Sequence, residues 1–220
     1  MRGPNGVWKT RDPDRYTIQR YVTDRDVRVE RWQDRLASQL ADAKPNAGHR
    51  AVTRLQEAGL VPDVVTQNID GLHQKAGTRN VIELHGTSAE ATCLECSRRM
   101  PIGVALDRVR EGDLDPHCEL CGGLLKTATI SFGQPMVAAD VERALGAARR
   151  CDVCVSVGST LSVWPAASVP VETVRHGGRL VIVNDGPTDL DGMASLLISG
   201  RAGTVLTELA GELLGDGDSR

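Results

Sequence analysis

The sequence predicts an α/β fold, a Rossmann-like parallel sheet with a small zinc-ribbon and helical module inserted into it. Three observations carry that expectation. Apolar runs of strand length at Val64-Val65-Thr66, 151–157 and 179–183 each stop abruptly in amides, carboxylates, hydroxyls or glycine. Open parallel sheets build their ligand sites this way, because the crevice lies outside the carboxyl ends of the strands. Amphipathic helical stretches at 26–43, 44–59 and 137–150 accompany those runs. Finally, Cys93-x-x-Cys96 and Cys118-x-x-Cys121 stand 21 residues apart.

The chain of 220 residues suits one domain with an insert, or two small domains. Phe132 is its one phenylalanine, beside three Trp and two Tyr, so the core must be built from Val, Leu, Ala and Ile. A formal net charge of −3 leaves no basic footprint for nucleic acid. No stretch approaches the length of a membrane span. MRGPNGVWKTRDPD has no apolar region after its charges and does not read as a signal peptide. The expected location is therefore the cytoplasm, where paired cysteines more often hold metal than form disulfides.

The stretch Thr66–Gly86 organises the rest. It packs Gln67, Asn68, Asp70 and His73 directly after a strand, with Gly71 permitting a sharp exit. Val81, Ile82 and Leu84 form a second short apolar run that delivers His85 in front of Gly86. Two consecutive strand ends finishing in titratable or amide groups point to a ligand site.

The helix over 26–43 has Val29, Trp32, Leu36 and Leu40 at spacings of three and four. Trp32 and Arg35 read as a packed indole and a solvated guanidinium. Pro45 opens the next helix, which ends at Gly59. Each CxxC turn points two thiolates at one ion. Cys93, Cys96, Cys118 and Cys121 together make a closed tetrahedral site, which is structural because no position is left for water. The module at 87–126 is too small for a core of its own, so zinc contributes folding energy there. Residues 127–133 read as a strand. Cys151 and Cys154 read as core cysteines, since residues three apart on a strand point to opposite faces. The segment 196–214 reads as a short strand and a C-terminal helix capped near Gly203-Thr204. The division expected is a Rossmann-like domain at 1–86 and 127–215, a zinc module at 87–126 and a disordered tail at 216–220. The helical segment 26–59 joins the smaller lobe.

TQNIDGLH followed by ELHG resembles the sirtuins, the NAD-dependent protein lysine deacylases. Pro45, Asn46 and His49 match that family's P-[NT]-x-x-H segment. Gly158-Ser159-Thr160-Leu161 resembles its G-T-S-L turn, with the two hydroxyl residues exchanged. The resemblance implies that His85 is the general base and that Asn68 and Asp70 orient the nicotinamide carboxamide and the attacking water. It implies that Gln67, Arg2, Gly158, Ser159, Asn184 and Asp185 complete the NAD site. It also implies that Ile130, Phe132, Gly133 and Val163 engage an extended acyl-lysine protein or peptide by strand addition. Gln134 replaces the family's usual Glu. The products implied are nicotinamide, free lysine and acyl-ADP-ribose. A zinc-stabilised binding module without catalysis and a protein ADP-ribosyltransferase are the alternatives.

RGPNGVW at 2–8 resembles the end of the family's cofactor-binding loop, but the glycine-rich strand-turn-helix that precedes that loop in the family is not found in this sequence. A start upstream of Met1, or a fragment, would account for this. A sheet lacking its first, central strand exposes two unpaired edges and an apolar face. Residues 1–220 expressed alone are therefore expected to be poorly soluble or to bind NAD weakly. Titration with NAD checks this, and a well-behaved monomer of micromolar affinity would contradict it.

Overall fold

The computed structural model of the chain describes residues 13–215. Arg2, the RGPNGVW segment and the tail at 216–220 lie outside the described residues. In chain order the elements are α1 (Ile18–Thr23), α2 (Arg25–Leu36), α3 (Ala47–Glu57), β1 (Val64–Thr66), α4 (Leu72–Lys75), β2 (Val81–Glu83), β3 (Gly86–Cys93) and β4 (Arg99–Pro101). There follow α5 (Ile102–Arg110), β5 (Leu125–Thr129), α6 (Ala138–Arg150), β6 (Val153–Val157), α7 (Ser168–Arg175), β7 (Arg179–Asn184), β8 (Leu196–Ser199) and α8 (Ala202–Leu214). Contacts group the chain into two units. One holds residues up to Ala43, Asn68–Asp70 and His85–Met136; the other holds Lys44–Gln67, Gly71–Leu84 and the chain from Val137 onward. The helical segment 26–59 divides between them, with α2 in the first unit and α3 in the second.

The first unit is built on an antiparallel sheet of order β4-β3-β5, with β5 at its edge. Helix α2 is capped by Asp24, whose side chain accepts from the N–H groups of Asp26 and Val27. It ends at Leu36, short of the helix expected to 43. Ser38 accepts from Leu40 N and opens a 3-10 turn at Gln39–Ala41, a local bond that competes with helix continuation. The buried face is Val27, Arg28 and Trp32. Trp32, 1% exposed, packs with Ala91, Cys93, Leu106, Val109 and Leu125 around the cysteine module. Arg28 is buried because it is fully matched. Nε donates to Asp115 Oδ1 at 2.9 Å, Nη2 to Asp115 Oδ2 at 2.9 Å, and Nη1 to the carbonyls of Tyr21 and Val22.

Strand β5 ends at Thr129, four residues before the strand expected over 127–133 would have ended. The reason is a turn. Gln134 N donates to Ser131 O at 3.0 Å and Ser131 N to Gln134 Oε1 at 3.1 Å, with Gly133 at φ +74°. Phe132 instead exchanges bonds with the residues flanking Thr17. Its N–H donates to Tyr16 O at 3.1 Å, and Ile18 N donates to its carbonyl at 2.9 Å.

The second unit carries the parallel strands, and they fall into two sheets, β1-β2 and β6-β7-β8. No strand among the described residues pairs with the second edges of β1 and β6. Val153 and Val155, on one face of β6, are 48% and 40% exposed. The other face of this sheet is covered, with Leu180 and Ile182 of β7 packed on Leu161, Val171 and Leu190. Helix α3 starts at Ala47, two residues after Pro45. Asn46 is its N-cap, in a capping box completed by His49. It packs Ala51 and Leu55 on Ala210 of α8. Helix α8 begins at Ala202, one residue before the expected cap. Among the described residues no helix is long and apolar enough to cross a membrane.

The Arg28–Asp115 pair ties α2 to the loop that leads into Cys118. Asp115→Ala strands a buried guanidinium and should cost about 3–5 kcal/mol. Chemical denaturation of the zinc-loaded chain measures this, and a loss below about 1 kcal/mol would show that the pair is dispensable.

Candidate functional site

Strands β1 and β2 pair in parallel with Thr66 opposite Glu83, and Leu84 N donates to Thr66 O at 2.9 Å. Both strands thus stop at one level. Gln67 and Leu84 are the last residues assigned to the second unit before the chain enters the first as Asn68–Asp70 and His85. Two backbone bonds then strap those segments to the sheet of the first unit. Ser88 N donates to Ile69 O at 2.9 Å, and Ile130 N donates to His85 O at 2.9 Å. Asn68, Asp70 and His85 therefore belong to the same unit as Ile130, Phe132 and Gly133, while Gln67, Gly158, Ser159, Val163, Asn184 and Asp185 belong to the other.

Gly86 makes the passage from β2 into β3 possible. It adopts φ +71°, and a Cβ built on it would lie 2.1 Å from Ala128 O. A glycine is the residue that tolerates both the left-handed backbone and the close approach. Gly133 is similarly placed, at φ +74° and with a Cβ position 2.9 Å from Gln19 Oε1.

In the second unit Gln67 Nε2 donates to Ser159 Oγ at 3.4 Å, which also accepts from Leu161 N at 3.1 Å. The ends of β1 and β6 are thus joined by side chains although their strands do not pair. Asn184, at the end of β7, donates its Nδ2 to Gly186 O at 2.9 Å and shapes the turn that exposes Asp185. His49 sits in the α3 capping box with Nδ1 2.8 Å from Asn46 Oδ1, and its ring lies 4.8 Å from that of His73. Phe132 is 50% exposed and Val163 lies at the surface, each in its own unit.

A cavity of about 150 Å³ opens in the first unit, lined among others by Tyr21, Trp32, Arg35, Ile69, Ser88 and Lys126. Arg35 is not the solvated residue its spacing suggested. Nη2 donates to Ser88 O at 2.7 Å, Nε is buried without an acceptor, and burial pushes its pKa down. Lys126 is almost wholly buried, and burial, aided by the neighbouring charge of Arg31, lowers its amine to about 8. The sequence reading passed over Lys126, although a lysine inside the apolar run LLKTATI is the signal that could have found it.

The four cysteines of the module converge. Their Sγ atoms all lie within 4.8 Å of one another, with Cys93 to Cys121 at 3.5 Å and Cys96 to Cys118 at 3.7 Å. A tetrahedral zinc with Zn–S bonds of about 2.3 Å requires S–S edges of about 3.8 Å, which this cluster matches. All four thiols are free of disulfides. The Cys121 N–H brings Cys118 down to about 7. Cys121 is pulled down by the Gly123 N–H, yet the neighbouring thiols Cys96 and Cys93 drive it up to about 12. Four adjacent thiols cannot all ionise without a cation between them. His117 is turned to Gly122 O, 2.8 Å from its Nδ1, and is outside the cluster. Cys151 and Cys154 stand apart from it. Cys151 Sγ lies 3.3 Å from Thr173 Oγ1, and burial raises Cys154 to about 11.

An α/β chain whose parallel strand ends carry amides, a carboxylate and an imidazole, stapled by four thiolates, belongs to the class of nucleotide-handling α/β proteins with a structural metal. The comparisons narrow this. The Sir2 family model matches residues 1–165. A Streptomyces coelicolor protein named NAD-dependent protein deacetylase 2 is 43% identical over 213 residues, which cover 94% of this chain and 88% of that protein. The NAD-dependent protein deacetylase of Thermodesulfovibrio yellowstonii is 38% identical over 95% of this chain and 82% of its own. A Sir2 structure described with a deacetylated p53 peptide and 3'-O-acetyl ADP ribose superposes with a TM-score of 0.85 at 33% identity, over 99% of this chain and 86% of that one. A Sir2–p53 peptide–NAD+ structure gives 0.82 at 32%, over 99% and 85%. The chain belongs to the Sir2 family.

The purified chain is expected to carry one zinc per molecule, and Cys118→Ser to lose both the metal and the cooperative unfolding of the first unit. Cys151→Ser should keep the full metal content. Metal analysis beside thermal melts checks this, and zinc loss from Cys151→Ser would contradict the assignment.

Proposed function

We propose that this chain removes acyl groups, acetyl first among them, from protein lysines at the expense of NAD, releasing nicotinamide and acyl-ADP-ribose. The observation that supports this reading is the pair of backbone bonds from Ser88 N to Ile69 O and from Ile130 N to His85 O, which tie the segments carrying Asn68, Asp70 and His85 into one unit with Ile130–Gly133 in a member of the Sir2 family. Relatives named NAD-dependent protein deacetylases, alike over most of their length, support the same activity.

The roles are those that the likeness to the Sir2 family implies. Gln67, Gly158, Ser159, Asn184 and Asp185 hold the ribose and phosphate groups of NAD. Asn68 and Asp70 orient the nicotinamide carboxamide and the water. The Ile130–Gly133 segment, with Val163, engages the extended peptide. The acyl oxygen attacks the ribose carbon and nicotinamide leaves. His85 takes a proton from the ribose hydroxyls, and the 2′-oxygen attacks the acyl carbon. Water then releases the lysine and acyl-ADP-ribose. Imidazole suits the base because, of the side chains, it titrates nearest neutral pH. Zinc, held by Cys93, Cys96, Cys118 and Cys121, supplies folding energy rather than chemistry. A reducing cytoplasm is the compartment in which such thiolates stay available to the metal.

Nicotinamide release measured with and without an acetyl-lysine peptide tests the reading. Peptide-dependent release is expected, with His85→Ala reducing it by about 10²–10⁴-fold. Release without peptide accompanied by labelled protein would mean ADP-ribosyl transfer, and no release at all would mean a binding module.

A further inference from the structure

The sheet of the first unit ends at β5, and the outer edge of β5 carries carbonyls that no strand among the described residues satisfies. The carbonyl of Ala128 faces Gly86 of β3, and Ile130 N reaches back to His85 O on the same side. Carbonyls alternate along a strand, so those of Leu125, Thr127 and Thr129 point the other way. Each is met by a side chain. Tyr21 Oη donates to Leu125 O at 2.6 Å. The Lys126 amine donates to Thr127 O at 3.0 Å and to Thr129 O. An edge that would otherwise recruit a strand at random is closed up to Thr129, and the chain continues directly into Ile130–Gly133.

We propose that Lys126 is a positioning residue for the acyl-lysine substrate, its ammonium holding the edge carbonyls of Thr127 and Thr129 and thereby fixing the Ile130–Gly133 segment on which the peptide docks. This rests on the deacylase reading of that segment. The cost of burying an ammonium is recovered because it grips two carbonyls at once, and a charged donor gives stronger hydrogen bonds than a neutral one. The groups that share its cavity are Tyr16, Tyr21, Arg31, Asp34 and Arg35. Arg31 stacks over the Tyr16 ring, its Cζ 3.7 Å from the centroid. The same Ile130 N–H that follows the clamped carbonyls holds His85 O, so a loosened β5 end would reach the base as well as the peptide.

The test uses the zinc-loaded full chain as wild type, Lys126→Met and Lys126→Arg, with steady-state kinetics against an acetyl-lysine peptide and NAD. Lys126→Met should raise the peptide KM about tenfold while the NAD KM moves less than about twofold, and Lys126→Arg should restore the peptide KM to within about threefold of wild type. In the wild type the peptide KM should climb as pH rises through about 8, where the amine loses its charge. Lys126→Arg should stay flat there. A folded Lys126→Met with an unchanged peptide KM overturns the proposal, as does a parallel rise in both KM values that arginine does not reverse. If Lys126→Met fails to fold, Lys126→Arg decides. A flat profile supports the clamp, and an alkaline rise equal to wild type overturns it. Absence of peptide-dependent turnover in the wild type would remove the deacylase reading and this proposal together, whereas turnover with unmoved variants removes the proposal alone.

Discussion

The passage through Gly86 is the constraint on which the first unit's chemistry depends. A parallel strand, β2, must become an antiparallel one, β3, within three residues, and the turn brings the backbone against Ala128 O closer than any Cβ could go. Because that approach is possible, His85 lies where its carbonyl meets Ile130 N, and Ser88 lies where its amide meets Ile69 O. One left-handed glycine thus couples the segment carrying the imidazole to the segment carrying the amide and carboxylate. The side chains gain their relative order from backbone bonds, which are less compliant than the side chains themselves.

The thiolate cluster and the buried ion pair extend that order outward. Cys93 closes β3 and Cys118 follows the loop anchored by Asp115, so the metal fastens one end of the sheet while Arg28 fastens α2 to the same loop. Trp32 fills the space between. Helix α2 in turn supplies Arg35 to the carbonyl of Ser88, three residues after His85. Few aromatic residues are available to build this core, so charge pairing and metal replace apolar bulk as the means of holding α2 in place.

What could be read in the sequence was what is written in local patterns. Strand ends at Gln67 and His85, the two CxxC turns, the helix at 138–150 and the left-handed Gly59 beyond α3 all follow from spacing and residue type. What escaped depended on contacts distant in sequence or on side chains competing with the backbone. Helix α2 stops early because Ser38 binds Leu40 N. Strand β5 stops early because Gln134 folds back on Ser131. The burial of Arg28 needs Asp115, 87 residues away, and the burial of Lys126 needs an open strand edge. The separation of the parallel strands into two sheets joined by Gln67 and Ser159 is likewise a property of pairing, and no single segment records it.

In the reaction proposed for this chain, an acyl group leaves lysine for the ribose of NAD. Mass analysis of the products formed from NAD and an acetyl-lysine peptide carrying an isotopic label on the acetyl group tests it most directly. The label should appear in O-acetyl-ADP-ribose, in amounts equal to the nicotinamide released. Label recovered as free acetate from the outset, or ADP-ribose attached to protein while the peptide keeps its acetyl group, would contradict it.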